Sequence, residues 1–149
     1  MTGSAGLEPG ACRAALSLGS NLGDRAEHLA AARASLGRDP RIDVLSAGLP
    51  RLTAPQGIPD QPEFLNQVVL VRTTLSPWDL LDRCLSAERE RGRQRGPVRW
   101  GPRTLDVDIL AYEGLVICDE RLQVPHSALP LRPFFRDMLA DLGAEDLLP

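Results

Sequence analysis

Apolar residues fall into short runs separated by turn-forming ones, and the spacing inside each run predicts its element. Residues 12–18 are apolar-rich and lead into Gly19-Ser20-Asn21-Leu22-Gly23-Asp24, a strand entering a turn. Leu22, Ala26, Leu29, the stem of Arg33 and Leu36 then recur at helical spacing, with Asp24 as N-cap and Gly37 and Pro40 as stop signals. Residues 42–52 read as a second strand, interrupted by Gly48 and Pro50, and residues 53–62, with three prolines and a glycine, as a loop. The valine- and leucine-rich stretch 64–74 is the clearest strand. Ser76-Pro77-Trp78-Asp79 then supplies a serine cap, a proline at the first helical position and an acid three residues after the cap. That helix is expected to reach about Arg91 and to bury Trp78, Leu81, Cys84 and Leu85. Residues 92–102 form a second long loop, 105–112 a strand, 115–118 a shorter one, and 127–140 a mostly helical segment whose start Pro130 and Pro133 make irregular.

The order β-α-β-β-α-β predicts the α+β class: a ferredoxin-like arrangement with one layer of helices on a mainly antiparallel sheet. A doubly wound parallel sheet fits worse, because no helix separates the second and third strands to make the crossover a parallel pair needs.

Composition narrows the function. A chain of 149 residues, 43% apolar and 25% charged, predicts one domain over residues 12–149, preceded by a loose extension over residues 1–11. The N-terminus has neither a basic start nor an apolar stretch, and no run approaches the length of a membrane span, so a cytoplasmic protein without membrane partners is expected. Cys12, Cys84 and Cys118 have no metal or disulfide spacing and read as three small buried thiols. All 17 basic residues are arginine, which excludes a Walker-A phosphate clamp, a protein-kinase strand lysine and Schiff-base chemistry.

Asp106 and Asp108 alternate with Leu105, Val107 and Ile109, so both carboxylates share one face of the strand, with Cα atoms ~6.5 Å apart. That suits joint coordination of Mg²⁺, a hard cation that takes oxygen ligands and keeps water; two ordinary acids on a solvated face have the same spacing. The neighbouring sequence shifts the balance. Six arginines occupy the fifteen residues 89–103, among three glycines, on a chain of net charge −3. This local charge implies an anionic partner, and the guanidinium fork holds phosphate oxygens bidentately. Phe64 and Asn66 share a face two residues apart and offer a stacking surface beside a hydrogen-bonding edge, which suits a flat heterocycle. Trp100, one of six aromatic residues, lies in the arginine loop, where no core is expected, and reads as part of a closing lid. Glu88 falls on the apolar face of its helix, either at the rim or meeting a ligand or arginine. His126 either satisfies its own loop or bonds a phosphate; His28 reads as a surface residue.

These pieces resemble the 6-hydroxymethyl-7,8-dihydropterin pyrophosphokinase family of folate biosynthesis. The matching stretches are Leu18-Gly19-Ser20-Asn21-Leu22-Gly23-Asp24, Thr53-Ala54-Pro55-Gln56-Gly57, Phe64-Leu65-Asn66, Gly92-Arg93-Gln94-Arg95, Arg99-Trp100-Gly101-Pro102-Arg103-Thr104-Leu105-Asp106-Val107-Asp108-Ile109-Leu110, Pro125-His126 and Arg132-Pro133-Phe134. The resemblance implies transfer of pyrophosphate from ATP to the pterin's hydroxymethyl oxygen, with AMP leaving. By position, Asp106 and Asp108 would hold two Mg²⁺ ions, and Arg93 and Arg103 would stabilise the transferring phosphates. Phe64 and Phe134 would sandwich the pterin, Thr53, Gln56 and Asn66 would read its edge, and Arg95 and Trp100 would ride on the closing loop, Trp100 touching both substrates. Glu88, Ile109, Arg121, His126 and Arg132 would line the ATP side. The partners implied are these two small molecules, with no nucleic acid, and the chain is expected to be a monomer. Gly96, Ser127 and Leu85 depart from the family's pattern, as does the tail after Phe134, which bears on nucleotide affinity and C-terminal packing rather than on the reaction.

Two other classes fit parts of the sequence: a Mg²⁺-dependent enzyme acting on nucleic acid, and a non-catalytic ferredoxin-like binding module. Overall acidity and the lack of an RNP-like aromatic motif weigh against both.

Overall fold

The computed structural model describes residues 10–55, 60–92 and 104–149. The nine residues of the expected extension before Gly10, together with Gln56, Arg93, Arg95, Trp100 and Arg103, lie outside the described residues.

The elements follow the predicted order: β1 (Cys12–Ser20), α1 (Arg25–Arg38), β2 (Ile42–Ala47), β3 (Arg51–Thr53), β4 (Phe64–Thr73), α2 (Pro77–Glu90) and β5 (Asp106–Tyr112), then the short β6 (Ile117–Cys118) and β7 (Gln123–Val124) and α3 (Phe134–Asp141). Single 3₁₀ turns at Leu129–Leu131 and Glu145–Leu147 flank α3. The main sheet runs β2-β4-β1-β5 with β3 also on β4, every pair antiparallel. This is the expected α+β, ferredoxin-like sheet.

Both long helices are capped as the sequence predicts. Asp24 accepts from the Glu27 N–H, and the Ser76 hydroxyl from the Asp79 N–H, ahead of Pro77. Gly37 lies inside α1 instead of ending it; the stop comes at Asp39, whose N–H returns to Leu36 O.

One expected strand is two. Gly48 N donates to Val68 O, and the Gln67 amide donates to Gly48 O at 2.6 Å, so the chain leaves the ladder between β2 and β3 and re-enters one residue out of register. Pro50, with no N–H to contribute, sits in that gap.

The core lies on both faces of the sheet, not under a single helical layer. α1 and α2 cover one face through Leu29, Ala32, Leu36, Leu80, Cys84 and Ala87, against Leu16, Leu18, Val69, Val71, Val107 and Ile109. α3 covers part of the other through Phe135, Met138 and Leu139, against Ala15, Val68, Leu70, Leu110 and Ala111.

The buried stripe of α2 is rotated from the expected one. Pro77, Leu80, Cys84, Ala87 and Glu88 are inside, Leu81 and Leu85 are half-buried, and Trp78 is exposed, its indole N–H donating to Asp119. Of the stripe expected for α1, Leu22 lies before the helix and is exposed, as is Ala26, and Ala32 and Ser35 join Leu29 and Leu36 inside. Of the three thiols only Cys84 is buried; Cys12 is intermediate and Cys118 exposed.

Candidate active site

α3 packs over the apolar half of its sheet face, and the other half carries the polar side chains. A β-bulge divides the halves. Ala15 pairs with Ala111 and Leu16 with Ile109, leaving Leu110 as the extra residue of β5. Leu110 and Ala111 therefore both face α3, while Asp106 and Asp108, in strict alternation below the bulge, point to the same side as partly exposed residues.

One transverse row crosses the polar half. Asn66 of β4 pairs with Gly19 of β1, which pairs with Asp106 of β5; the next row is Val68, Ser17 and Asp108. At antiparallel spacing, Asn66 and Asp106 lie about 10 Å apart. The Asn66 amide donates to Thr53 Oγ1 at 2.5 Å, and Thr53 pairs with Phe64, so Thr53, Phe64 and Asn66 form one ledge beside the carboxylates. The ledge is anchored below by Asn21, whose buried amide donates to Gln61 and to Pro62 O, and by Arg25, which donates to Glu63 O. Gly19 permits the close approach. A β-carbon there would sit 2.7 Å from Asn66 Oδ1 and 3.7 Å from the Phe64 ring. Gly19 and Asn21 stand inside the turn motif at the end of β1, and their partners Asn66, Gln61 and Pro62 are too distant in sequence to be read from it.

His126 joins the carboxylates through the bulge. Its N–H donates to Leu110 O at 2.9 Å, and its Nε2 faces Asp108 Oδ1 at 3.7 Å. Nδ1 accepts from the Ala128 N–H, which leaves the proton on Nε2, toward Asp108. The Asp108 carboxylate raises the His126 pKa, burial opposes it, and the Arg132 cation, which is near enough to be felt, opposes it further. Phe134, the first residue of α3, is half-buried on this face, its ring 4.5 Å from that of Phe135.

Three residues that the resemblance assigns to the nucleotide side have other surroundings in the fold. The Ile109 side chain is in the α1–α2 core, leaving only its main chain for a ligand. Arg121 is exposed at the β6–β7 hairpin and ion-pairs with Asp82 of α2 at 2.6 Å. Glu88 is buried against β5, on the face opposite the carboxylates.

Among the described residues no group of three or more His, Cys, Asp or Glu side chains is placed to hold a metal ion. A pair of partly exposed carboxylates offers hard oxygens and room for water, a donor set that suits Mg²⁺ better than Zn²⁺. No helix of the described residues is long and apolar enough to cross a membrane.

A ferredoxin-like antiparallel sheet with an aromatic–amide ledge and a carboxylate pair on one polar half-face places the chain in the α+β class. The sequence profile of 7,8-dihydro-6-hydroxymethylpterin-pyrophosphokinase (HPPK) matches residues 15–144. Proteins named 2-amino-4-hydroxy-6-hydroxymethyldihydropteridine pyrophosphokinase are similar over most of the chain. The one from Methylorubrum extorquens is 46% identical over 133 residues, covering 89% of this chain and 84% of the relative. Those from Pseudomonas aeruginosa and Bacillus subtilis are 40% and 41% identical, covering 92% and 85% of this chain and 84% and 75% of the relatives. The chain belongs to the 7,8-dihydro-6-hydroxymethylpterin-pyrophosphokinase family.

Proposed function

We propose that this chain transfers the terminal diphosphate of ATP to the hydroxymethyl oxygen of 6-hydroxymethyl-7,8-dihydropterin, with Asp106 and Asp108 holding two Mg²⁺ ions. The reading is supported by the row Asn66–Gly19–Asp106, in which Asn66, bonded to Thr53, stands about 10 Å from the nearer carboxylate-bearing residue. Phe64 stacks on the pterin with Phe134 on its other side, while Asn66, held by Thr53, reads its edge. Gln56 is assigned to the same edge.

The pterin hydroxyl oxygen attacks the β-phosphorus, the bond from that phosphorus to the α–β bridging oxygen breaks, and AMP departs with the bridging oxygen. The hydroxyl proton is lost to solvent, and no residue becomes a covalent nucleophile. When bound, Mg²⁺ supplies charge neutralisation at the phosphate oxygens and a template for the attacking hydroxyl. Arg93 and Arg103 are assigned to the transferring phosphates, Arg95 and Trp100 to the closing loop, and His126 and Arg132 to the nucleotide side. The product feeds folate biosynthesis. The protein acts as a cytoplasmic monomer, with residues 12–149 as its one catalytic domain.

The test is incubation with ATP, Mg²⁺ and the hydroxymethyl pterin, with separation of the nucleotides. AMP and pterin diphosphate in equal amounts are expected; ADP without AMP overturns the reading.

A further inference from the structure

Glu88 is 2% exposed yet carries a carboxylate, a group that is costly to bury without a hydrogen-bond or charge partner. Its Oε2 accepts from the Val107 N–H at 2.9 Å. Val107 is the residue between Asp106 and Asp108, on β5, which lies at the edge of the sheet. Along an antiparallel strand the main-chain groups of successive residues alternate between facing the partner strand and facing away. With the Val107 N–H turned out to α2, those of Asp106 and Asp108 turn in to Gly19 and Ser17 of β1. Three consecutive residues are thereby held from both sides, and Glu88 supplies the outer hold. Burial pushes the Cys84 thiol up, and the charges of Asp108 and Glu88 add to that rise, so both carboxylates are felt at one point of the α2–β5 contact.

We propose that Glu88 is a positioning residue: by gripping the Val107 N–H it fixes the spacing and direction of the Asp106 and Asp108 carboxylates, and hence their affinity for a divalent cation, without touching the nucleotide. This rests on the reading that these two carboxylates hold the metal.

Two variants separate reach from charge. Glu88→Gln keeps an acceptor oxygen at the same reach and loses the charge; Glu88→Asp keeps the charge and is one methylene too short. In the metal-free protein, hydrogen exchange at the Val107 amide stays within about threefold of wild type in Glu88→Gln and speeds up about tenfold or more in Glu88→Asp. Mn²⁺ binding, followed by electron paramagnetic resonance, weakens about tenfold in Glu88→Asp and less than threefold in Glu88→Gln. Unchanged Mn²⁺ affinity in Glu88→Asp overturns the proposal, and so does a Gln variant as weak as the Asp variant. Loss of the native circular dichroism spectrum in both variants also overturns it, because Glu88 would then be a determinant of folding. Asp106→Asn and Asp108→Asn are the control: if they leave Mn²⁺ affinity unchanged, the metal reading itself fails. If they abolish binding while Glu88→Asp does nothing, only the positioning role falls.

Discussion

The Asn66 carboxamide lies directly over Gly19, its Oδ1 2.7 Å from where a β-carbon on residue 19 would stand. Asn66 has nowhere easy to retreat to. It is buried, and its amide nitrogen is committed to Thr53 Oγ1. Gly19→Ala must therefore swing the amide off Thr53 and disorder the edge proposed to read the pterin. The expected result is a weakening of pterin binding by about 1–3 kcal/mol, the cost of leaving a buried polar group unmatched, with a much smaller change for ATP. Calorimetric titration of each ligand checks it, and equal losses for the two would detach Asn66 from the pterin side.

The carboxylate pair allows a sharper expectation. Asp106→Asn and Asp108→Asn preserve shape and the pairing with Gly19 and Ser17 while removing an anionic ligand. Turnover should fall by about a hundredfold or more in each, since metal-derived charge stabilisation amounts to several kcal/mol. Steady-state assay of AMP release decides. A variant retaining near-normal rates would mean that its carboxylate merely decorates a solvated strand.

Phe64 separates stacking from simple bulk. The residue is 8% exposed, so Phe64→Ala would open a cavity and blur the result. Phe64→Leu keeps an apolar side chain and removes the π face. Pterin affinity should drop about tenfold, in line with stacking energies of about 1–3 kcal/mol per base, and ATP affinity should change less. Matching losses in both titrations would place Phe64 in the scaffold.

Much of this architecture was legible because local chemistry and global fold agree. The Ser76-Pro77-Trp78-Asp79 start forms the predicted cap, and the alternation through Asp106 and Asp108 gives the predicted face. What escaped depends on partners distant in sequence. Leu110 reads as one more strand residue, yet it is the bulge that turns the face under α3, and it bulges because β1 offers no residue opposite it. The stripe of α2 was misplaced by Trp78, whose indole finds Asp119 at the surface, and by Glu88, a charged residue that is buried because β5 presents it with a free N–H. Gln67, polar and buried, looks wrong for a central strand until Gly48 O and Arg33 are seen to satisfy it where β2 gives way to β3. α3 shows no preference for either sheet face in its own sequence; the apolar half-face formed by Val68, Leu70, Leu110 and Ala111 selects it.

Stability should also carry the signature of one carboxylate at the end of α1. Asp39 accepts from the Arg41 main chain and guanidinium and from Arg83 Nε of α2, joining the two helices on the side of the sheet away from the site. Its hydrogen bonds with Arg41, helped by the charge of Arg83 and opposed by burial, hold its pKa at about 2 against an ordinary 3.8. A carboxyl with a depressed folded-state pKa stabilises fully above its unfolded value, and the contribution is lost as pH falls through the folded one. The relevant window therefore runs from about pH 4 down to about pH 2. After discounting for the solvent around Arg41, Asp39→Asn should cost about 1–2 kcal/mol at neutral pH, a fall in Tm of about 3–6 °C. The gap between wild type and variant should close as the pH is lowered through that window. Thermal melts of both proteins at pH 7, 4 and 2.5 test it, and a difference that stays constant across the series would show that the Asp39 charge contributes nothing.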